Sequence, residues 1–295
     1  RWFHNLTGLP AVLDFTAYAL DAGELLNAGY SLSQLGGHCE EELRLYERAL
    51  AAGATDDCNT AILLVNMGVT LEELGRAEDA IRVYDEVVVR FADAPMAAGR
   101  VMVVKALHNK GGVVGQLGRG EEAIRVYDEV VARFADAPEL NVREKVAKAL
   151  FNKGVVVGQL GRAEEAIRVY DEVMIRFADA SEAAVREMVA TALVNKGLLL
   201  GQLGRSADAI RVYDEVVGHF AEAPEPVVRD QVVKALINKG TAAGRVGRGE
   251  EQLQVYDDVV ARFADDPDAR VRERVARVLV KKGVALGKLG RGEET

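Results

Sequence analysis

The sequence predicts an all-α solenoid of repeated antiparallel helix pairs, and three observations carry that expectation. A long segment recurs almost unchanged: Gly115–Phe134 reads GQLGRGEEAIRVYDEVVARF, Gly158–Phe177 reads GQLGRAEEAIRVYDEVMIRF, and Gly201–Phe220 reads GQLGRSADAIRVYDEVVGHF. Tyr84, Tyr127, Tyr170, Tyr213 and Tyr256 fall 43 residues apart at each step, and so do Asn66, Asn109, Asn152, Asn195 and Asn238. Within each copy apolar residues return twice with the helical period, and no stretch alternates with period two for long enough to argue a sheet. A repeat of this length marks a stacked supersecondary unit.

In chain order, a lead-in of residues 1–9 precedes copies at about 10–53, 54–93, 94–136, 137–179, 180–222 and 223–265, with a partial copy at 266–295. The first copy is shorter and keeps Asn27, Gly29, Leu35-Gly36 and Tyr46. The fourth shows the plan. Its first helix, A, is expected from about Glu139 to Leu160, where Val142, Val146, Ala149, Leu150, Val156, Val157 and Leu160 form one stripe. Gly161 is the stop, in the left-handed position after a helix. The second helix, B, is expected from about Ala163 to Phe177, with a stripe running from Ala166 through Ile167, Val169, Tyr170, Val173 and Met174 to Phe177. Glu164 and Glu165 open it and Arg176 closes it, which suits the helix dipole. An Ala-Asp-Ala segment, often followed by Pro, turns into the next copy. The partial copy begins near Pro267 and reaches Thr295 before its second helix, so continuation in a longer protein is expected. Neither helix can bury its stripe alone, and the copies must stack.

Composition sets outer bounds. Apolar residues make up 49% of the chain, too many for a disordered segment. No apolar run of about 18 residues argues a membrane span. Lys and Arg number 37 against 46 Asp and Glu, and the net charge of −9 gives no general attraction to nucleic acid or an anionic membrane. Cys39 and Cys58 lack metal-ligand spacing and read as ordinary thiols in a reducing, cytoplasmic setting. His4, His38, His108 and His219 are scattered, and no Walker loop is present. No nucleophile, base and orienting group converge at one unique place, so neither an enzyme nor a cofactor nor a metal is expected.

One charge pattern needs its own account. Lys110, Lys153, Lys196, Lys239 and Lys282 fall inside the apolar stripe of helix A, where a buried ammonium needs a partner. Asp85, Asp128, Asp171, Asp214 and Asp257 lie at the edge of the helix-B stripe. Asp85 is followed by Lys110 although its own copy has Met67, so each Asp is expected to pair with the Lys of the next copy, in a buried bridge. Gly115, Gly158, Gly201, Gly244 and Gly287 are mid-helix glycines, each costing roughly 1 kcal/mol against Ala. Close approach of adjacent A helices is the expected reason, with room for a ligand as the alternative.

These copies resemble the tetratricopeptide repeat (TPR) family. Gly154, Ala166 and Tyr170 match its helix-A glycine and its Ala-x3-aromatic spacing, as do Gly111, Ala123, Tyr127 and Gly197, Ala209, Tyr213. The leucine expected before the glycine is Lys153, the helix-A aromatic is Val157, and the repeat is 43 residues against about 34 for the family. That length resembles the long-repeat subclass found in kinesin light chains and some bacterial sensor proteins. The resemblance implies a right-handed superhelix whose A helices line a concave groove.

On that groove face Phe151 lies level with His108, Val194 and Ile237, Lys148 with Lys105 and Lys234, and Gln159 with Gln116, Gln202, Arg245 and Lys288. Val155 adds apolar contact. Asn109, Asn152, Asn195 and Asn238 occupy the groove edge, and Lys281 breaks their series. A carboxamide both donates and accepts; in related TPR proteins such a ladder grips peptide backbone, while its structural alternative is a bond to the neighbouring helix backbone. The expected function is a protein-interaction or sensor module binding an extended protein or peptide segment, acidic or amphipathic. The alternatives are a structural spacer, self-association through uncapped ends, or the repeat part of a larger enzyme or NTPase.

Overall fold

A computed structural model describes residues 21–53, 57–92 and 97–290. The expected lead-in and the start of the first copy lie outside these residues. The chain divides into two compact units, residues 1–146 and 147–295. Unit one holds α1 (Ala22–Leu35), α2 (Cys39–Ala51), α3 (Asp57–Glu73), α4 (Ala77–Arg90), α5 (Ala97–Gln116), α6 (Gly120–Phe134) and the first residues of α7 (Leu140–Gln159). Unit two holds the rest of α7, then α8 (Ala163–Phe177), α9 (Ala183–Gln202), α10 (Ser206–Phe220), α11 (Pro226–Arg245), α12 (Gly249–Phe263) and α13 (Ala269–Lys288). The described residues contain no strand, and the fold is an all-α repeat solenoid. Odd-numbered helices are the A helices. Each packs on its own B helix, as α5 does on α6, and on A helices of adjacent copies, as α9 and α13 do on α11.

Helix boundaries follow local chemistry. In the fourth copy helix B runs Ala163–Phe177, as its stripe predicts, and helix A ends at Gln159. Leu160, expected in the stripe, lies past that end and is 43% exposed. The chain there turns away through Gly161 at φ 78°. Gly161 N–H donates to the Gly158 carbonyl and Arg162 N–H to the Val157 carbonyl, so the last carbonyls of the helix are satisfied.

One contact sets the register inside every pair. The helix-A glycine lies under the ring of the helix-B tyrosine: Gly111 beneath Tyr127, Gly154 beneath Tyr170, Gly197 beneath Tyr213, Gly240 beneath Tyr256. Ala123, Ala166 and Ala209 are fully buried one turn before their tyrosines. In these three copies the small alanine side chain lets the two helices close at that level.

Two sets of ion pairs join successive copies. Arg186 of α9 meets Glu225 at 3.1 Å, Arg229 of α11 holds Asp266 through two bonds of 2.8 and 3.1 Å, and in unit one Arg100 pairs with Glu139. The second set is the expected Lys–Asp series. Lys239 reaches Asp214 at 2.5 Å, Lys282 reaches Asp257 at 2.5 Å, Lys110 reaches Asp85 at 2.5 Å, and Lys196 pairs with Asp171. Each aspartate belongs to the preceding copy. The expectation of a buried bridge is corrected: the Lys239 side chain is 19% exposed, but Asp214 is 52% exposed. The lysine lays its stem along apolar surface and delivers its ammonium to a wet carboxylate at the rim. Lys153 is half-buried.

The mid-helix glycines are also corrected. Around Gly158 the nearest atom to an added Cβ is the Ala166 Cβ, 3.8 Å away in the same copy; around Gly201 it is the Arg245 guanidinium at 3.5 Å; around Gly287 there is open space. No backbone of a neighbouring A helix lies within 4 Å of an added Cβ at these three positions.

Candidate ligand-binding face

The glycine–tyrosine lock fixes which residues of helix A turn away from helix B. Two positions before the glycine stands the asparagine, and one position after it stands a residue that is exposed in some copies and half-buried in others, as at Val155 and Thr241. That second series runs Val69, Gly112, Val155, Leu198, Thr241 and Val284. Leu198 is 42% exposed and Val284 57%. Leu198 thus leaves an apolar side chain in water on the A-helix face of unit two.

The asparagines are half-buried at Asn109, Asn152, Asn195 and Asn238. Asn109 Nδ2 donates to the Tyr84 hydroxyl at 3.4 Å. Asn195 stands in the same relation to Tyr170, where it counters the upward push of burial on the hydroxyl. For Asn109 and Asn195 the partner is thus a tyrosine hydroxyl of the preceding copy rather than helix backbone. One N–H of the Asn109 carboxamide serves that bond, and the group has a second donor and an acceptor oxygen. Burial and the Glu72 carboxylate, which accepts from Tyr84, push the Tyr84 hydroxyl far up; burial also raises the carboxyl of Glu72.

In unit two, Phe151 is half-buried with its ring 6.2 Å from that of Tyr170, Val155 is half-buried, and Gln159 and Gln202 are exposed. Lys148 is half-buried. Lys234 is held by Asp230 at 2.9 Å, which neutralises a cation expected to serve the groove. In unit one, Lys105 is half-buried on α5, the helix of Asn109. Unit two therefore brings Asn152, Asn195, Asn238, Phe151, Val155, Gln159 and Gln202 onto its A helices, and Lys105 and Asn109 belong to unit one.

Sequence reasoning missed Leu198. Its place directly after the helix-A glycine turns it away from helix B, but Val155 and Thr241 at the same position are half-buried, so the repeat pattern does not carry its exposure. Arg245 is exposed, and it leans over Gly201. Burial pushes the Tyr213 hydroxyl up to about 12, and the nearby Arg245 charge pulls against that shift. Among the described residues no group of three or more His, Cys, Asp or Glu side chains is placed to hold a metal ion. No described helix is long and apolar enough to cross a membrane.

Glycine-locked helix pairs, stacked copy on copy, define a helical-repeat protein. Tetratricopeptide repeat models match residues 27–133, and again residues 113–181 and 194–269. The chain belongs to the tetratricopeptide repeat family. No curated protein sequence matches it. Among solved structures it is similar to BtubC from P. vanneervenii, at 14% identity and a TM-score of 0.57 over 92% of this chain and 93% of that one. It is also similar to the apo quorum sensor NprR from B. thuringiensis, at 12% identity and a TM-score of 0.51 over 95% of this chain and 86% of that one. A third is a Podosopora anserina protein with nearly identical TPR-like repeats, at 13% identity and a TM-score of 0.50 over 73% of this chain and 100% of that one. These likenesses concern the fold.

Proposed function

We propose that the A-helix face of unit two binds an extended segment of a partner protein. The observation that carries this reading is Leu198, which stays 42% exposed directly after a helix-A glycine and beside a carboxamide row. Asn152, Asn195 and Asn238 supply donors and acceptors to peptide backbone, each bond contributing about 0.5–1.5 kcal/mol net. Phe151, Val155 and Leu198 supply apolar contact, and Gln159 and Gln202 form a polar rim. A sensor role, as in the quorum sensor NprR, is one form that such binding takes. The test uses a peptide recovered by affinity capture and measures its affinity for the wild type and for Asn152→Ala with Asn195→Ala. A loss of tenfold or more, with helicity intact by circular dichroism, supports the reading. Unaltered affinity shows that the asparagines serve only the scaffold.

A further inference from the structure

We infer that Glu72 is a positioning residue: its carboxylate takes the proton of the Tyr84 hydroxyl, and the hydroxyl in turn fixes which way round the Asn109 carboxamide stands. This inference rests on the reading that the asparagine row faces a partner segment, and it carries that reading to unit one.

Three observations support it. The first is a substitution at a repeating position. Copies three to six place Gly115, Gly158, Gly201 and Gly244 at one level of helix A, and copy two places Glu72 there. Around Gly158 the nearest atom to an added Cβ is the Ala166 Cβ at 3.8 Å, so that level has room for a side chain. Glu72 uses the room and is half-buried.

The second is a chain of two hydrogen bonds across three helices of unit one. The Glu72 carboxylate on α3 accepts from the Tyr84 hydroxyl on α4, and that hydroxyl accepts from Asn109 Nδ2 on α5 at 3.4 Å. The three helices pack on one another in pairs. A hydroxyl has one proton to give, and an ionised carboxylate has none. With its proton given to Glu72, Tyr84 offers Asn109 lone pairs alone. A carboxamide turned the other way would set its oxygen against the hydroxyl oxygen. Asn109 therefore keeps Nδ2 on the tyrosine, and its oxygen and second N–H are left for another group.

The third is the contrast with copy four. Gly158 stands there in place of Glu72, and burial and Asn195 are the influences on the Tyr170 hydroxyl. Tyr170 can give its proton to the carboxamide oxygen or accept from its nitrogen, so Asn195 can turn either way. The two asparagines share a repeating position but differ in what they offer: Asn109 presents a fixed acceptor for a backbone N–H, and Asn195 adapts. An acceptor already set does not have to be ordered when a segment arrives.

The test reads the carboxamides themselves and needs no ligand. The full chain is labelled with nitrogen-15 at asparagine only, and the side-chain amide signals and their exchange with water are recorded by NMR, Asn109 being assigned from its loss in Asn109→Asp. The proteins are wild type, Glu72→Gly, Glu72→Leu, Glu72→Gln and Tyr84→Phe, each checked for helicity by circular dichroism. Glu72→Gly introduces the residue that four other copies carry, Glu72→Leu fills the space without an acceptor, and Glu72→Gln keeps an acceptor oxygen. Exchange of the Asn109 amide protons is expected to rise about fivefold or more in Glu72→Gly, Glu72→Leu and Tyr84→Phe, and to stay within about twofold of wild type in Glu72→Gln. The Asn195 signals are expected to stay in place throughout. If Glu72→Leu keeps the wild-type exchange, filled space rather than the carboxylate holds Asn109, and the positioning role is overturned. The same holds if Glu72→Gly leaves Asn109 unchanged, or if Asn195 loosens as much as Asn109. Failure of the binding reading is read separately, from the affinity of the Asn152/Asn195 variant above, so the two failures are distinguishable.

Discussion

A methyl group on Gly111 would stand 2.5 Å from Cε1 of Tyr127 and 2.8 Å from its Cζ. The absent side chain is therefore what lets α5 and α6 close. Gly111→Ala forces the ring or the helix to move, and overpacking of this kind costs about 1–3 kcal/mol. Gly158→Ala has the opposite expectation. Its nearest neighbour would be the Ala166 Cβ at an ordinary 3.8 Å, so helix propensity dominates and stability rises by up to about 1 kcal/mol. Urea unfolding of the two variants should shift the midpoint in opposite directions. A loss in both would mean that Gly158 has a packing role that its surroundings do not reveal.

Lys239 and Asp214 give a smaller expectation than a buried pair would. Asp214 is 52% exposed, so water and salt screen the attraction, and such pairs contribute about 0.2–1 kcal/mol. Lys239→Met keeps the stem that packs on the helix and removes the charge. It should change stability by less than about 1 kcal/mol, and the difference should shrink further in high salt. A loss of several kcal/mol in thermal or urea unfolding would show that the bridge acts as a buried one.

The fold was legible because its determinants are local and repeated. Gly161, Ala166 and Tyr170 each announce their place by type and spacing. The partner of Lys239 was legible as well, since the copy with Met67 showed which aspartate goes with which lysine. Its exposure was not, because a helical wheel gives direction without telling how far a four-carbon stem reaches. The asparagine row was visible at a single wheel angle, but its partner was not: Tyr84 reaches Asn109 only after two copies have stacked. Lys234 read as a groove cation because Asp230, one turn away, is not weighed by a comparison across copies.

Asp266 offers a pH test. Its side chain is 5% exposed and receives two bonds from Arg229. The Arg229 guanidinium holds the carboxyl below its ordinary value of 3.8, and the Asp268 N–H donated to it adds to the effect. A folded-state value below the unfolded one means that the contribution is complete above about pH 4. It is then lost as the pH falls through the depressed value. Asp266→Asn should be less stable than wild type at pH 7, and the gap should narrow as the pH drops below about 4. Urea midpoints at several pH values check this; a gap that stays constant into acid would remove the Arg229–Asp266 charge pair as its cause.

The sixth copy breaks the repeat at Gln252, beside a glycine that keeps it. Gln252 replaces the alanine found as Ala123, Ala166 and Ala209, and its amide donates to the Tyr256 hydroxyl at 3.2 Å. The same side chain fills the space beside Gly244, where an added Cβ would meet Oε1 at 2.5 Å and Cδ at 2.8 Å. Gly244→Ala alone must push the glutamine off its tyrosine, which offsets the helix-propensity gain of about 1 kcal/mol. In a Gln252→Ala background that conflict disappears, and the full gain should return. A double-mutant cycle over the two positions should therefore show a coupling of at least about 0.5 kcal/mol, as touching residues do. Additive effects in urea unfolding would mean that Gln252 leaves the Gly244 site without cost and that the two positions do not couple.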